Sequence, residues 1–145
     1  MGGGAVLTGN GGSANCWGTN LAGTNLAGTI LAGTILAGTD TSLRSPIINL
    51  SGIPGGTTLS FAFALDGDTG NTLEVNVVDA TTGNFIANLV PAIEDDDTDT
   101  NWETRVVPIP ALEQQVRLVW RFKGLNPGFP ILGAYIDDVV VRANP

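Results

Sequence analysis

The sequence of 145 residues contains no histidine, and this absence removes several kinds of catalytic site. Histidine is the usual general base, it activates the nucleophile of serine and cysteine triads, and it ligates zinc in HExxH motifs. Two carboxylates could still support glycoside hydrolysis, but the acidic residues fall mainly in turns, where such side chains cap backbone groups. The sequence therefore predicts that the protein is not an enzyme.

Positive charge is also scarce. Six lysine and arginine residues stand against 14 aspartate and glutamate residues, which gives a net charge of −8. This charge repels phosphate backbones and anionic lipids, so we expect no nucleic-acid partner.

Cys16 is the single cysteine, and a single cysteine excludes an internal disulfide. We interpret it as a small buried apolar side chain, with intermolecular pairing as the alternative.

Long hydrophobic runs are missing as well. No segment approaches the roughly 18 to 20 apolar residues of a membrane span, so we expect no membrane insertion. The start, MGGGAVLTG, lacks the basic region and apolar centre of a signal peptide, although this does not argue against export. A hydrophobic fraction of 43% with 20 glycines and 8 prolines is typical of a folded chain built from short segments. We expect one domain over residues 1–145.

Apolar residues alternate with a period of two in segment after segment, as in strands with one buried face. TTLSFAFAL shows the pattern, and TLEVNVVD, WETRVVPI and QVRLVWRF repeat it between clusters of Gly, Asn, Asp and Pro. We predict a two-sheet antiparallel β-sandwich, a jelly roll of seven or eight strands, whose sandwich core spans 43–142. Its buried residues are predicted to be Phe61, Phe63, Leu73, Val75, Val77, Val106, Leu118, Trp120, Val139 and Val141.

A Gly-rich arm at 1–15 precedes a tandem repeat at 19–39, TNLAGTNLAGTILAGTILAGT. A period of five turns a helical side chain by about 140° per unit and forms no apolar stripe, so the repeat is not a helix. On a strand the odd period sends successive leucines to opposite faces. The unit resembles the pentapeptide repeats, which form a square β-helix. We leave open an extended loop or added strand pair, a single coil of that kind, and disorder for 24–38.

A wider resemblance covers nearly the whole chain. CWGTNLAG at 16–23, LAGTDTSLRSPIINLSG at 36–52, TLSFAFALD, VVDATTG, WETRVV and AYIDDVVV together resemble a MAM-like jelly-roll domain of large secreted bacterial proteins. Such domains accompany immune-inhibitor-A-like metallopeptidases, and similar sandwiches serve as carbohydrate-binding modules. The resemblance implies a noncatalytic binding or adhesion module that is secreted or displayed at the cell surface, with an expanded repeat in one connection.

A glycan or protein surface ligand is the partner that this resemblance implies. Carbohydrate recognition on a sandwich depends on exposed aromatic rings, and aromatic residues make up only 6% of this chain. Trp120 falls in phase with core positions. Trp17 and Trp102 begin strands and could lie either in the core or at the rim, and they are the candidate ligand-binding residues.

Calcium is the metal that the acidic turns would suit, because this cation takes six to eight oxygen ligands. The turn DGDTGN supplies Asp66, Asp68 and Asn71, although it lacks the later ligands of an EF-hand. The resemblance to carbohydrate-binding modules, whose last strand often holds a calcium, adds Asp137 and Asp138.

Alternation in the last strand places Asp137 on one face with Tyr135, Val139 and Val141, so we expect Asp137 to point inward. As the alternative, Asp137 accepts backbone hydrogen bonds and Asp138 pairs with Arg142.

Three further functions remain open. The chain could be a self-assembling structural subunit whose arm or repeat adds a strand to the open edge of a neighbour. The regularly spaced threonines of the repeat could form a small ice-binding face. The tandem copies could also mark a designed or generated sequence without selected activity.

Overall fold

The computed structural model describes residues 10–12, 17–18, 25–26, 29–30, 39–66, 72–94, 102–124 and 133–145. These residues form a short 3-10 turn, Asn10–Gly12, and a series of strands. The strands are β1 Trp17–Gly18, β2 Asn25–Leu26, β3 Thr29–Ile30, β4 Thr39–Arg44, β5 Ile48–Asn49, β6 Thr57–Asp66, β7 Thr72–Asp79, β8 Phe85–Glu94, β9 Glu103–Ile109, β10 Gln115–Gly124 and β11 Gly133–Ala143. None of the described residues belongs to a helix long and apolar enough to cross a membrane.

The strands form two antiparallel sheets, and the predicted β-sandwich is confirmed. Sheet 1 has the order β1-β11-β6-β9, and sheet 2 has the order β4-β10-β7-β8, with β5 pairing beside β4 on β10. The chain passes between the sheets after β5, β6, β8, β9 and β10. Both β1 and β4 are edge strands, a position that matters for the cavity described below.

The core lies between the sheets and follows the alternation read from the sequence. Sheet 1 contributes Leu59, Phe61, Phe63 and Leu65, each at most 4% exposed. Opposite them, sheet 2 contributes Leu73, Val75, Val77, Val90, Val116, Leu118, Trp120 and Phe122. The Trp120 ring meets the Phe61 ring edge-on, with centroids 5.7 Å apart. Seven of the ten predicted core residues are therefore fully buried: Phe61, Phe63, Leu73, Val75, Val77, Leu118 and Trp120.

The prediction for Val106 is wrong, because this side chain is 62% exposed. It pairs with Ser60, which lies on the outer face of sheet 1, whereas Val107 pairs with the buried Leu59. Adjacent valines at 106 and 107 satisfy either phase of the alternation, so the sequence could not decide which one points inward.

The last strand contains a β-bulge that the sequence did not reveal. Asp137 pairs with Ala62, but the next regular pair is Val140 with Ser60, so β11 contains one extra residue here. Asp138 adopts a left-handed conformation with φ of 50°. The extra residue inverts the phase of the strand, which leaves Val139 41% exposed and Val141 partly buried against the core.

The bulge also corrects the expected direction of Asp137. This residue and Tyr135 pair with Ala62 and Ala64, on the face of sheet 1 opposite to Phe61 and Phe63. Asp137 therefore does not face the interior of the sandwich with Val141. Ala62, Ala64 and Tyr135 are each only 1% exposed, so sheet 1 is buried on both faces at this level.

The described part of the repeat consists of β2 and β3. They pair with each other in an antiparallel ladder, in which Asn25 faces Ile30 and Leu26 faces Thr29. An extended loop or added strand pair was one of the alternatives for 24–38, beside a single coil and disorder. The rest of that range lies outside the described residues.

Candidate ligand-binding cavity between the sheets

A cavity of about 180 Å³ lies where β1 and β4, the edge strands of the two sheets, flank the core. Sheet 2 lines it with Thr41, Ser42, Leu43, Leu73, Trp120 and Phe122, and sheet 1 lines it with Trp17, Ala134 and Ile136. For comparison, an engineered cavity of about 150 Å³ in another protein binds benzene. The space can therefore hold a group of about that size.

Trp17 occupies the outer strand of this cavity. Its Cα pairs with that of Ile136, and directly opposed residues of an antiparallel ladder project to the same face. Ile136 is buried in the core at 3% exposure, so Trp17 also projects toward the sandwich side of sheet 1. Its side chain is nevertheless 63% exposed, because sheet 1 ends there and no further strand of the described chain covers it. Trp17 is thus a wall of the cavity that a ligand can reach.

Trp120 lies deeper in the same cavity. Its partners across the ladder are Leu43 and Val75, and the residue is 3% exposed. The indole Nε1–H is buried and donates to no acceptor among the residues that the structure describes. Leaving a buried donor unmatched costs about 1 to 3 kcal/mol, so the core contains one uncompensated polar group at this position.

The charged residues nearest this edge lie on the outer face of sheet 2. Asp40 of β4 receives two hydrogen bonds from Arg121, at 2.8 and 2.6 Å, and Glu74 lies 3.5 Å from the same guanidinium. The hydrogen bond from Arg121 holds the pKa of Asp40 below its ordinary value of 3.8. None of the described residues that line the cavity is charged. The cavity therefore suits an uncharged group.

The two tryptophans predicted to bind ligand are not brought together. Trp102 precedes β9, and β9 is the edge of sheet 1 opposite to β1. Three strand spacings separate these edges, a distance of about 14 Å. Trp102 is half-buried and does not line the cavity. The structure thus places Trp17, and not Trp102, beside this cavity.

Asp137 and Asp138 lie at the bulge and hold the turn at Asn10. The Asn10 N–H donates to Asp137 Oδ2 at 3.0 Å, and its side-chain amide donates to Asp138 Oδ2 at 2.8 Å. Asp137 Oδ1 accepts the Asp138 N–H at 2.8 Å. These contacts agree with the alternative in which Asp137 accepts backbone hydrogen bonds. No ion pair joins Asp138 to Arg142, both of which lie in the described part of β11.

Among the other predicted metal ligands, the structure describes only the backbone of Asp66. The Asp66 backbone pairs with Gly133, four residues before Asp137, which corresponds to about 13 Å along the strand. The Asp66 side chain, Asp68 and Asn71 lie outside what the structure describes. Among the described residues no three acidic, cysteine or histidine side chains are grouped to hold a metal ion. Three of the four oxygens of Asp137 and Asp138 already accept N–H donors, so the bulge fits a cap on the N-terminal turn better than an ion site.

Comparison with solved structures finds similar sandwiches. The K1 cleaved adhesin domain of Lys-gingipain from Porphyromonas gingivalis W83 matches with a TM-score of 0.51 and 19% identity, over 74% of this chain and 66% of that one. The K3 cleaved adhesin domain of the same protein matches with a TM-score of 0.49 and 22% identity, over the same shares. The chain thus spans just under two thirds of the length of these domains. The K1 likeness shows a shared fold.

Comparison with protein families finds a match to one segment of the chain. Residues 13–40 match the family of pentapeptide repeats, with eight copies. This confirms the predicted repeat and extends it beyond 19–39 to include Trp17 and the start of β4. No match was found among curated proteins.

Proposed function

We propose that the protein is a noncatalytic binding module, of the adhesion type, from a secreted or cell-surface protein. The observation that carries this proposal is the cavity between the sheets, with the exposed Trp17 ring on its outer wall. A concave, mostly apolar surface with few polar groups is the usual form of a small-ligand site. Because the sequence has no histidine, the common hydrolytic mechanisms are not open to this site.

The fold supports the same role by analogy. The K1 domain with which this chain shares its fold is an adhesin domain of a gingipain, and we extend surface adhesion to the present chain as a proposal. The MAM-like resemblance of the sequence motifs points the same way, and so does the lack of basic surface charge. A glycan is the ligand class that an exposed tryptophan beside an uncharged cavity favours.

An array of glycans and extracellular proteins, probed with the purified chain, tests this function. Binding should depend on Trp17, so Trp17→Ala should lose it, while Trp102→Ala serves as the matched control at the opposite edge of sheet 1. Circular dichroism spectra of the variants should match that of the wild type. Binding that is lost in Trp102→Ala but kept in Trp17→Ala would place the site elsewhere, and no binding to any probe would count against the adhesion role.

A structural role is the second candidate, and the edge of sheet 1 favours it. On this side of β11, the described residues of β1 pair with Tyr135 and Ile136. Within the described residues no strand covers the edge from Asp137 to Ala143, where Val139 and Val140 are exposed. An open, partly apolar edge can accept a strand from a second copy. Sedimentation that shows a monomer at all concentrations would dismiss this candidate.

Calcium stays a proposal for Asp137 and Asp138, and an ion there would have to displace Asn10. An ion that binds only the folded chain raises the melting temperature. Calorimetric melting in millimolar calcium and in chelator should then differ, and Asp137→Asn should reduce the difference. Equal melting temperatures in both buffers would count against a calcium site at this pair.

A further inference from the structure

We propose that Asn10 is a site of deamidation, and that this modification releases the N-terminal turn from the last strand. The proposal goes beyond the binding function and does not depend on it. Asn10 is followed by Gly11, and no other asparagine of the chain precedes a glycine. Both residues lie in the turn Asn10–Gly12, which is bonded to Asp137 and Asp138 of β11. A change in the Asn10 side chain therefore acts directly on the contact between this turn and β11.

A glycine after Asn10 opens the chemical route to this modification. The Gly11 backbone nitrogen loses its proton and attacks Asn10 Cγ, the Cγ–Nδ2 bond breaks, and ammonia leaves. Water then opens the resulting succinimide ring to give aspartate or isoaspartate, so the net reaction consumes one water and releases one ammonia. A side chain on the attacking residue hinders the approach, and glycine has none. The sequence therefore favours Asn10 over every other asparagine of the chain.

The structure leaves this peptide unit accessible. Gly11 is exposed, and apart from its chain neighbours no atom of the described residues lies within 4 Å of the position that a Cβ would take. Water and hydroxide can therefore reach the reacting atoms. Asn10 is half-buried, and its side-chain hydrogen bond to Asp138 lies at the surface. Such a contact can open locally while the core of the sandwich stays folded.

Conversion of Asn10 to an acid turns an attractive contact into a repulsive one. The Asn10 Nδ2–H donates to Asp138 Oδ2 at 2.8 Å, and the Asn10 backbone N–H donates to Asp137 Oδ2 at 3.0 Å. After the reaction a carboxylate oxygen takes the place of the donor opposite Asp138. The third carboxylate then joins the two that already lie at the bulge, and like charges at this separation repel each other. The modified turn therefore favours the detached position.

Ageing of the purified full chain tests the modification itself. The protein is kept in mildly alkaline buffer, and peptide mapping by mass spectrometry follows the conversion of each asparagine to acid. Asn84 is the internal control, because it is also exposed in a turn but is followed by the bulky Phe85. We expect Asn10 to lose its amide first. An Asn10 that stays intact while Asn84 converts, or a chain in which no asparagine converts, would overturn the proposed site.

Nuclear magnetic resonance on the ¹⁵N-labelled full chain tests the release. The backbone amide proton of residue 10 should resonate downfield in the wild type, because it donates to a carboxylate. Asn10→Asp should move this signal upfield, towards the position of a detached amide. Asn10→Ala removes the side-chain donor without adding charge, so its signal should move less.

A double variant separates charge repulsion from other causes. Asn10→Asp combined with Asp138→Asn exchanges donor and acceptor and should return the signal of residue 10 towards its wild-type position. Asparagine suits residue 138, whose φ is 50°, because asparagine and aspartate both accept the left-handed region. An Asn10→Asp chain with the wild-type signal would overturn the release. A double variant whose signal stays upfield would show that repulsion from Asp138 is not its cause.

Discussion

Trp17 and Trp120 line the same cavity but differ in burial. Trp120 is held by the core, with its ring meeting that of Phe61 edge-on, and contributes a buried inner surface. Trp17 lies on a two-residue edge strand and contributes exposed surface. The stability of the sandwich should therefore depend on the first residue and hardly on the second.

Replacement of Trp120 by alanine should lower the free energy of unfolding by about 3 to 5 kcal/mol, because it removes a large buried side chain and leaves a void. Trp17→Ala is the matched control and should change it by about 0.5 kcal/mol or less. Denaturant titration followed by circular dichroism measures both values. A Trp120→Ala protein as stable as the wild type would show that this face of sheet 2 is not the core.

The pair of Asp40 and Arg121 should make stability depend on acid pH. Arg121 lowers the pKa of Asp40 below 3.8 in the folded chain, so the charged carboxylate favours the folded state. That contribution is complete above pH 3.8 and is lost as the pH falls through the lowered pKa. The melting temperature of the wild type should exceed that of Asp40→Asn near neutral pH, and the difference should shrink below pH 3.8. A difference that stays constant down to about pH 2 would show that charge is not its cause.

The turn before β6 depends on a glycine that has no room for a side chain. Gly56 has φ of 69°, and a Cβ there would lie 2.7 Å from the Ile109 carbonyl oxygen. Gly52, four residues earlier, has φ of 75° but nothing within 4 Å of such a Cβ. An alanine at either position would have the backbone strain of a left-handed residue. Only at Gly56 would its Cβ also clash with a neighbouring atom.

Gly52→Ala should therefore cost about 1 to 2 kcal/mol of unfolding free energy, from strain alone. Gly56→Ala should cost clearly more, because the backbone of β9 must also move. Parallel denaturant titrations of the two variants give the comparison. Equal losses would mean that the turn relaxes freely around the added methyl group.

Period-two alternation was sufficient to predict the sheets, and its failures occur where alternation carries no information. In β6 only one phase puts Phe61 and Phe63 inside, so the prediction held. In β9 the neighbouring valines fit both phases, and in β11 a bulge inserts a residue after Asp137. A bulge depends on the contacts of the folded strand, here with Asn10, which lies more than a hundred residues away in sequence.

The cavity was less predictable than the sheets because it depends on how the two sheets meet. Trp17 could be selected from its place at a strand start, but Thr41, Ser42 and Ala134 carry no motif. One signal was present in the sequence: SFAFAL has alanines and no charged residue on its second face, which agrees with the burial of Ala62 and Ala64 on the outer face of sheet 1. The separation of Trp17 from Trp102 required the strand order.

The whole molecule can be viewed as a sandwich with a repeat inserted between two edge strands. The repeat family spans 13–40, and β1 and β4 lie at its two ends on different sheets. Deletion of 24–38, which joins Gly23 to Thr39, should leave the sandwich folded, since connection length affects stability only weakly. Thermal melting should stay cooperative, with the β-sheet circular dichroism retained. An unfolded deletion variant would show that the repeat forms part of the core.

The most direct test of the ligand cavity is to fill it without touching its aromatic residues. Ala134 lies on its floor in sheet 1, and Ala134→Leu would place a larger apolar group in the space while Trp17 and Trp120 remain. The variant is compared with the wild type on the array of glycans and extracellular proteins, after melting curves establish that it is folded. We predict a folded protein that no longer binds the ligands of the wild type. A folded Ala134→Leu protein that binds them undiminished would contradict the assignment of this cavity as the binding site.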